Sequence, residues 1–363
     1  MSGPSRRLPP WGLYLAAFMA GMTTLGVEMA TTRLIGVALG TSDVVWAAVI
    51  TLVLLYLTGG YFLGGWLADR APHPEVFFRL LAWASFTAGL LPVLVRPLLL
   101  IMIAAFSLAS LDIALLGIVA VTVAILFAVP VTLLGCVSPF VVRLVVADTD
   151  TAGGSTGRVY ALSTLGSILG TFGPVLVLIP AIGTAWTFGV FAGALLIMAL
   201  AGLCRLSLRQ GLRHGWMPLV LGGALLLGIR GPVKPAPAGT TLLYEAETPY
   251  NYVQVVEVAE GMVVSRQPPG TRLLLLNEGQ GVHSVYHPEV LKTGATWDMF
   301  LAAPYFNPPP YLPRNVDRIA VIGLAGGTIA RQHTAVYGPI QIDGIEIDPG
   351  IVDAGRRYFG MTM

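Results

Sequence analysis

Through the first 230 residues the apolar positions do not alternate with polar ones but run on almost unbroken. The runs fall at about 12–38, 44–66, 78–108, 112–145, 157–180 and 184–204, and roughly 20 mostly apolar residues suffice to cross the hydrocarbon core. A seventh run at 216–229 is shorter. Its fourteen residues make about 21 Å of helix, less than the roughly 30 Å core, so it is expected to be a partial or interfacial segment. Beyond residue 230 the pattern changes. YNYVQVVEV (250–258) alternates and is β-branched, so it predicts a strand, with GMVVSRQ (261–267) and RLLLLNEG (272–279) as further strands around a PPG turn. The later part of HSVYHPEVLKTGATWDMFLAAPYF (283–306) predicts helix, and NPPPYLPR breaks the chain. VDRIAVIG then predicts a buried strand, TIARQHTAVYG a helix and IQIDGIEID a second strand.

Composition sharpens this division. Apolar residues make up 55% of the 363, charged residues 11%, and the mean hydropathy is +0.76; a soluble domain carries about a quarter charged residues. The net charge of +2 and the lack of a basic, aromatic-studded stretch give no footprint for nucleic acid. Cys136 and Cys204 sit in apolar segments without CxxC spacing, so neither a disulfide framework nor a metal site is expected. The first apolar run lacks a small-residue cleavage site and is read as a retained span.

Arginines set the expected orientation. Arg6 and Arg7 precede the first run, Arg70 and Arg79 lie between the second and third, Arg143 and Arg158 flank the loop after the fourth, and Arg205, Arg209 and Arg213 follow the sixth. The positive-inside rule puts these ends in the cytoplasm, hence a multi-pass protein of the inner or plasma membrane with its soluble part on the cytoplasmic side. Glu28 lies mid-run, and an ionisable group there reads either as part of a cation pathway or as a carboxylate bonded to Thr24, Thr31, Thr32 or another helix. Arg33, five positions on, falls on a different helix face. GGWLADR (64–70) resembles the loop after the second helix of major-facilitator transporters, where an Asp and an Arg secure neighbouring helix ends.

The boundaries expected are a helical bundle over 1–230, a proline-rich linker GPVKPAPAG at 231–239, a small β domain at 240–312 and a nucleotide-type unit at 313–363. In that last unit Gly323, Gly326 and Gly327 let the backbone turn sharply and approach a ligand with no Cβ in the way. Ala325 lies within the same turn, and the N-terminal amides of the following helix would aim at the ligand. Glu346 stands 23 positions after Gly323, close to the spacing at which an acid accepts hydrogen bonds from ribose hydroxyls. Asp348, just before Pro349, reads as a helix cap.

These residues carry a family resemblance. VIGLAGGTIARQ…IDGIEIDPGIVDAGRRYF resembles the cofactor motif of the spermidine synthase (polyamine aminopropyltransferase) family. YNYVQVVEV and LLLLNEGQGVHSVYHPEVL resemble its small N-terminal β domain, and GVEMATTRLIG through GRVYALSTLGSILGTFGP resembles the multi-spanning region of its fused membrane-bound branch. The resemblance implies an α-helical multi-pass bundle of six to seven spans, then a β-meander, then the first βαβ part of an S-adenosylmethionine-methyltransferase-like Rossmann fold. It implies S-adenosylmethionine or its decarboxylated form as co-substrate, with Gly323, Ala325, Gly326, Gly327 and Glu346 at the cofactor and Gln254 at the position of a substrate-contacting glutamine. Aligned on Arg331, Gly326 stands where soluble spermidine synthases carry an aspartate that contacts the amine of the transferred group, and HSVYHPE replaces an expected acidic pair.

The family's catalytic aspartates lie beyond the second Rossmann strand, where only IVDAGRRYFGMTM follows. The expectation is therefore a chain incomplete as a transferase by itself: a natural fragment, half of a split enzyme completed by a second chain, or a product of early termination. Aminopropyl transfer needs a carboxylate-lined pocket for a cationic polyamine; Tyr286, His283 and His287 could add polar groups, or be structural. Two further readings stand beside the transferase, a transporter-like subunit and a structural membrane subunit with a vestigial cofactor domain.

Overall fold

The long apolar runs fold into helices because no water is needed to satisfy a helix backbone. The computed structural model describes residues 10–39, 43–105, 111–146, 148–228, 234–264, 266–277, 279, 281–308, 310 and 315–362; Arg6, Arg7 and most of NPPPYLPR lie outside them. The chain divides into two compact units, Met1–Gly231 and Pro232–Met363.

In the first unit the helices are α1 (Pro10–Leu39), α2 (Asp43–Arg70), α3 (Pro74–Ala105), α4 (Leu111–Gly135), α5 (Val137–Val145), α6 (Ala152–Gly173), α7 (Ile179–Ile182), α8 (Thr184–Leu206), α9 (Leu208–His214) and α10 (Trp216–Gly228). A π-helical stretch, Pro174–Leu178, joins α6 to α7; Pro174 has no N–H to donate, and the ladder widens there. Six helical stretches are long and apolar enough to cross a membrane: Pro10–Val37, Val45–Arg70, Pro74–Val95, Ala120–Val145, Thr149–Ile182 and Thr184–Leu206. The 13-residue α10 is not among them. Exposed Leu54, Leu55 and Phe62 on α2, and Leu169 and Phe172 on α6, give the bundle apolar outer faces.

Small residues set the closest helix contacts. A Cβ on Gly166 or Gly170 would run into the α1 backbone at Phe18 and Met22, and one on Gly21 into Ser163 of α6. Ser167 Oγ donates to Gly21 O at 3.3 Å across the same seam. Gly60 and Gly64 of α2 likewise face Thr132 and Cys136. Small residues at helix seams allow the close backbone approach that packing between apolar helices favours. One apolar cluster gathers Phe77, Leu81, Phe140, Leu195, Leu203 and Met217; a second gathers Ile35, Val49, Val53, Leu91, Phe127 and Phe188. In GGWLADR, Asp69 pairs with Arg143 of α5 at 3.2 Å, and the Arg70 guanidinium stands over Trp66 at 4.2 Å.

The expected bonds to Glu28 are not made by its threonine neighbours. Thr24, Thr31 and Thr32 donate to the carbonyls of Ala20, Val27 and Glu28 one turn back, the bond a helical hydroxyl reaches most easily. Among the described residues the Glu28 carboxylate has no hydrogen-bond or salt-bridge partner, and the side chain is half-buried.

The second unit is a meander with two parallel strands added. β1 (Thr240–Glu247), β2 (Tyr252–Val258), β3 (Arg272–Leu276) and β4 (Val282–Tyr286) form one antiparallel sheet in chain order. After α11 (Thr296–Phe300), the parallel pair β5 (Arg318–Ile322) and β6 (Gln341–Ile345) is joined through α12 (Thr328–Tyr337), and α13 (Pro349–Tyr358) follows. Ile351, Ala354 and Phe359 pack on Val253, Val255 and Leu274, so meander and βαβ segment share a core across the boundary expected at 312.

One expected strand is not formed, and another stands in its place. GMVVSRQ is not a strand: β2 pairs directly with β3, Gly261 and Arg266 take positive φ, and one Val264–Gln267 bridge closes the loop. The strand that precedes β2 is instead TTLLYEAE, paired with it from Thr240–Val258 to Glu247–Tyr252. Within the proline-rich linker, Lys234 N donates to Tyr252 Oη at 3.2 Å, and Lys234 O accepts from Gln254 Nε2 at 2.8 Å. Residues 231–233 lie outside the described residues.

Candidate functional site

The turn between β5 and α12 is anchored by the protein's own hydrogen bonds. Gly323 N and Leu324 N both donate to Ile345 O, at 2.9 and 3.0 Å, and Gly327 N donates to Leu324 O at 3.0 Å. Gly323 and Gly327 hold φ of 77° and 87°, in the left-handed region where a Cβ is disfavoured. Ala325 sits there too, at φ 51°, a strain of about 1–3 kcal/mol for a residue with a side chain. Its amide donates to Glu346 Oε2 at 2.9 Å. The carboxylate at the end of β6 thereby holds the strained residue in place.

Gly326 has a different reason to be glycine from the one expected. Its φ is not positive, and a Cβ there would lie 2.9 Å from Ser284 Cβ and 3.1 Å from Phe359 Cγ. The space belongs to the protein's own packing rather than to a ligand. Gly326 N donates to Ser284 Oγ at 2.8 Å, and Thr328 Oγ1 exchanges bonds with the Val285 backbone, so β4 buttresses the turn. All five turn amides are thus bound internally. The next three, of Thr328, Ile329 and Ala330, open α12 and take no partner among the described residues; they are the free donors at the site.

Glu346 is the hub. Its Oε1 accepts from Asp348 N at 3.1 Å while Oε2 holds Ala325. An ionised carboxylate has about four lone-pair directions, so two further hydroxyl donors can be accommodated on this half-exposed group. Asp348 caps α13 as expected, accepting from Gly350 N at 2.9 Å. It does more. Fully buried, it also accepts from Thr248 Oγ1 at 2.7 Å and Asn251 Nδ2 at 2.9 Å. Asn277 Nδ2 donates on to Asn251 Oδ1 and Asn277 Oδ1 accepts from Tyr252 N. A polar chain therefore runs from the β1–β2 turn to Glu346 and the glycine turn.

Gly323, Ala325, Gly327 and Glu346 come together, with Gly326 beneath them as packing. Gln254 does not join them. It shares the sheet face of Val256 and Leu275, opposite the face of Val253 and Leu274 that meets α13 and Ala325, and it is spent on Lys234 O. A one-residue shift in a strand exchanges faces, and Asn251, at the turn before β2, reaches the network instead. A Thr and an Asn three positions apart in a strand–turn segment are the local signal for Thr248 and Asn251, while Ser284 carries none.

Tyr286 faces the turn side, edge-on to Phe359 at 6.4 Å between centroids, with the Arg331 guanidinium 4.5 Å and that of Arg272 5.8 Å from its ring. His287 Nδ1 accepts from the amides of Glu289 and Val290, a turn-closing role, and His283 lies exposed at a register shift in β4. Among the described residues no group of three or more His, Cys, Asp and Glu could hold a metal ion.

With this geometry in hand, the chain resembles two proteins, one from Bifidobacterium longum and one from Vibrio vulnificus. Both are polyamine aminopropyltransferases by name. The first, a "Probable polyamine aminopropyl transferase", is 35% identical over 120 residues, 33% of this chain and 23% of that protein. The second, a "Polyamine aminopropyltransferase", is 28% identical over 144 residues, 39% of this chain and 43% of that protein. The chain therefore spans less than half the length of the curated relatives it matches. No family model matches the chain, and no solved structure does.

Proposed function

We propose that this is a membrane-anchored, spermidine synthase-like protein whose second unit holds the adenosyl part of decarboxylated S-adenosylmethionine for aminopropyl transfer to a polyamine. The observation that carries this reading is the bond from Ala325 N to Glu346 Oε2. It sets a carboxylate with free acceptor directions against a glycine turn, at the ends of two parallel strands, where vicinal ribose hydroxyls can be received. The names of the two relatives support the reaction class, and the β5–α12–β6 unit supports a Rossmann-like setting. In this reading the exposed Ile322, Ile345 and Ile347 are covered by the further strands and helices of a Rossmann-like sheet, and the bundle sits in the plasma membrane with the soluble unit in the cytoplasm. Aminopropyl transfer also needs carboxylates around the acceptor amine, and those would come with the added strands.

The test is titration calorimetry of the full chain in nanodiscs with decarboxylated S-adenosylmethionine and with 5′-methylthioadenosine. Glu346→Gln keeps the volume, sets an NH₂ against either the Ala325 or the Asp348 amide and weakens charge-assisted acceptance from two hydroxyls, and the expected loss is about tenfold or more in affinity. If the folded wild-type chain binds neither ligand, or Glu346→Gln binds both as tightly as wild type, the proposal fails.

A further inference from the structure

α9 stands out at one end of the bundle. The candidate span of α8 runs to Leu206, and Ser207 breaks it with extended backbone, φ −155° and ψ 112°. α9 does not then continue along the α8 axis. A Cβ on Gly211 would strike Cys204 Sγ, although seven residues along a straight helix are about 10 Å apart. The short helix has turned back against the end of α8. Gln210 Nε2 donates to Glu75 Oε2 at 2.7 Å, which fastens α9 beside the start of α3.

Its outer surface combines two chemistries. Leu208 and Leu212, one turn apart, are 65% and 70% exposed and so share a face. Arg209 and Arg213, each one position on, are exposed as well, and so is Arg205 at the end of α8. Among the described residues no carboxylate pairs with any of the three. Arg205 stands 5.9 Å over the ring of Trp11. At the start of α10, Trp216 packs edge-on against Trp83 and Phe86. Tryptophan rings and arginines gather at the depth of lipid headgroups.

We propose that α9 is a headgroup helix, lying in the plane of the bilayer surface. Leu208 and Leu212 enter the acyl boundary while Arg205, Arg209 and Arg213 bind the phosphates of anionic phospholipids. The position directly after a membrane-length helix places it at headgroup depth, and the unpaired cations select negative lipids over neutral ones. A soluble phosphate would satisfy the arginines but leave the leucines in water. The inference rests on the membrane reading of the first unit and is independent of the transferase reading.

The experiment uses the full chain in nanodiscs, with an environment-sensitive NBD probe at Leu212→Cys in a Cys204→Ala background; Cys136 is buried. A second probe at Leu169→Cys, on the exposed face of α6, reports embedding of the bundle itself. Brominated lipids are expected to quench both probes. Phosphatidylglycerol should be enriched over phosphatidylcholine around the purified protein, and Arg209→Gln should lower that enrichment about fivefold. Quenching at 169 without quenching at 212 overturns this proposal alone, and loss of quenching at both overturns the membrane reading. Unchanged enrichment in Arg209→Gln/Arg213→Gln, displacement of the lipid by inorganic phosphate, or shielding of the 212 probe by a second copy of the chain would each refute the lipid assignment.

Discussion

Asp348→Asn is the sharpest perturbation of the second unit, because it changes one atom and no volume. The native carboxylate is fully buried and accepts three bonds: Thr248 Oγ1 and Asn251 Nδ2 at Oδ2, and Gly350 N at Oδ1. An amide offers one oxygen. Turned toward Thr248 and Asn251, it sets its NH₂ against the Gly350 amide; turned toward Gly350, it sets the NH₂ against the Asn251 amide. Thr248 Oγ1 cannot easily reverse roles, since it already accepts from the amides of Tyr250 and Asn251. Either way at least one charge-assisted bond, worth about 1.5–3 kcal/mol, is exchanged for facing donors, so the expected cost is about 2–4 kcal/mol. Hydrogen exchange of the full chain in nanodiscs reads this locally. Protection at 246–255 and 348–354 should fall between about thirtyfold and several hundredfold, while the bundle helices keep theirs. Unchanged protection in both segments would show that the network does not hold the β1–β2 turn to α13, and the account of the site would fail with it.

Three further outcomes follow from the same geometry. Gly326→Ala must displace Ser284 or Phe359 and should cost about 1–3 kcal/mol, read as earlier proteolysis of the second unit. Gly323→Ala meets open space but a φ of 77°, so its cost is local backbone strain of about 1–3 kcal/mol with no displaced neighbour; faster exchange around Ser284 and Phe359 is expected in Gly326→Ala alone, and its appearance in both variants would contradict the packing assigned to Gly326. Asp298 gives a pH signature. Burial pushes its carboxyl upward, but bonds from Thr293 N, Thr293 Oγ1, Gly294 N and Gln332 Nε2 outweigh this and hold it below the ordinary aspartate value of 3.8. A depressed folded pKa stabilises above the unfolded value and is lost as pH falls through the folded one. The α11–α12 contact should therefore hold at pH 5 and loosen only below about pH 4, seen as new exchange at 293–300; loosening between pH 5 and 7 would refute it.

Much of the architecture is local and was legible in the chain. An apolar run long enough to span lipid has nothing to do but form a helix, so the six long stretches sit where the runs do. The glycine turn and the Asp348 cap are equally local, since a positive φ or a proline at the first helical position leaves few residue choices. Other features were decided by partners far away in sequence. GMVVSRQ has the composition of a strand, but β1 and β3 occupy the two edges of β2. Gln254 fell on the far face of the sheet because alternation fixes each side chain's face once the pairing register is set. Gly326 is glycine because Ser284 and Phe359 fill its Cβ position. Ser284, Thr248 and Asn251 joined the site only when two sheets met. Burial, register and the partners of a carboxylate are properties of neighbours brought together by folding. A linear pattern specifies which groups can bond, and the tertiary structure decides which of them do.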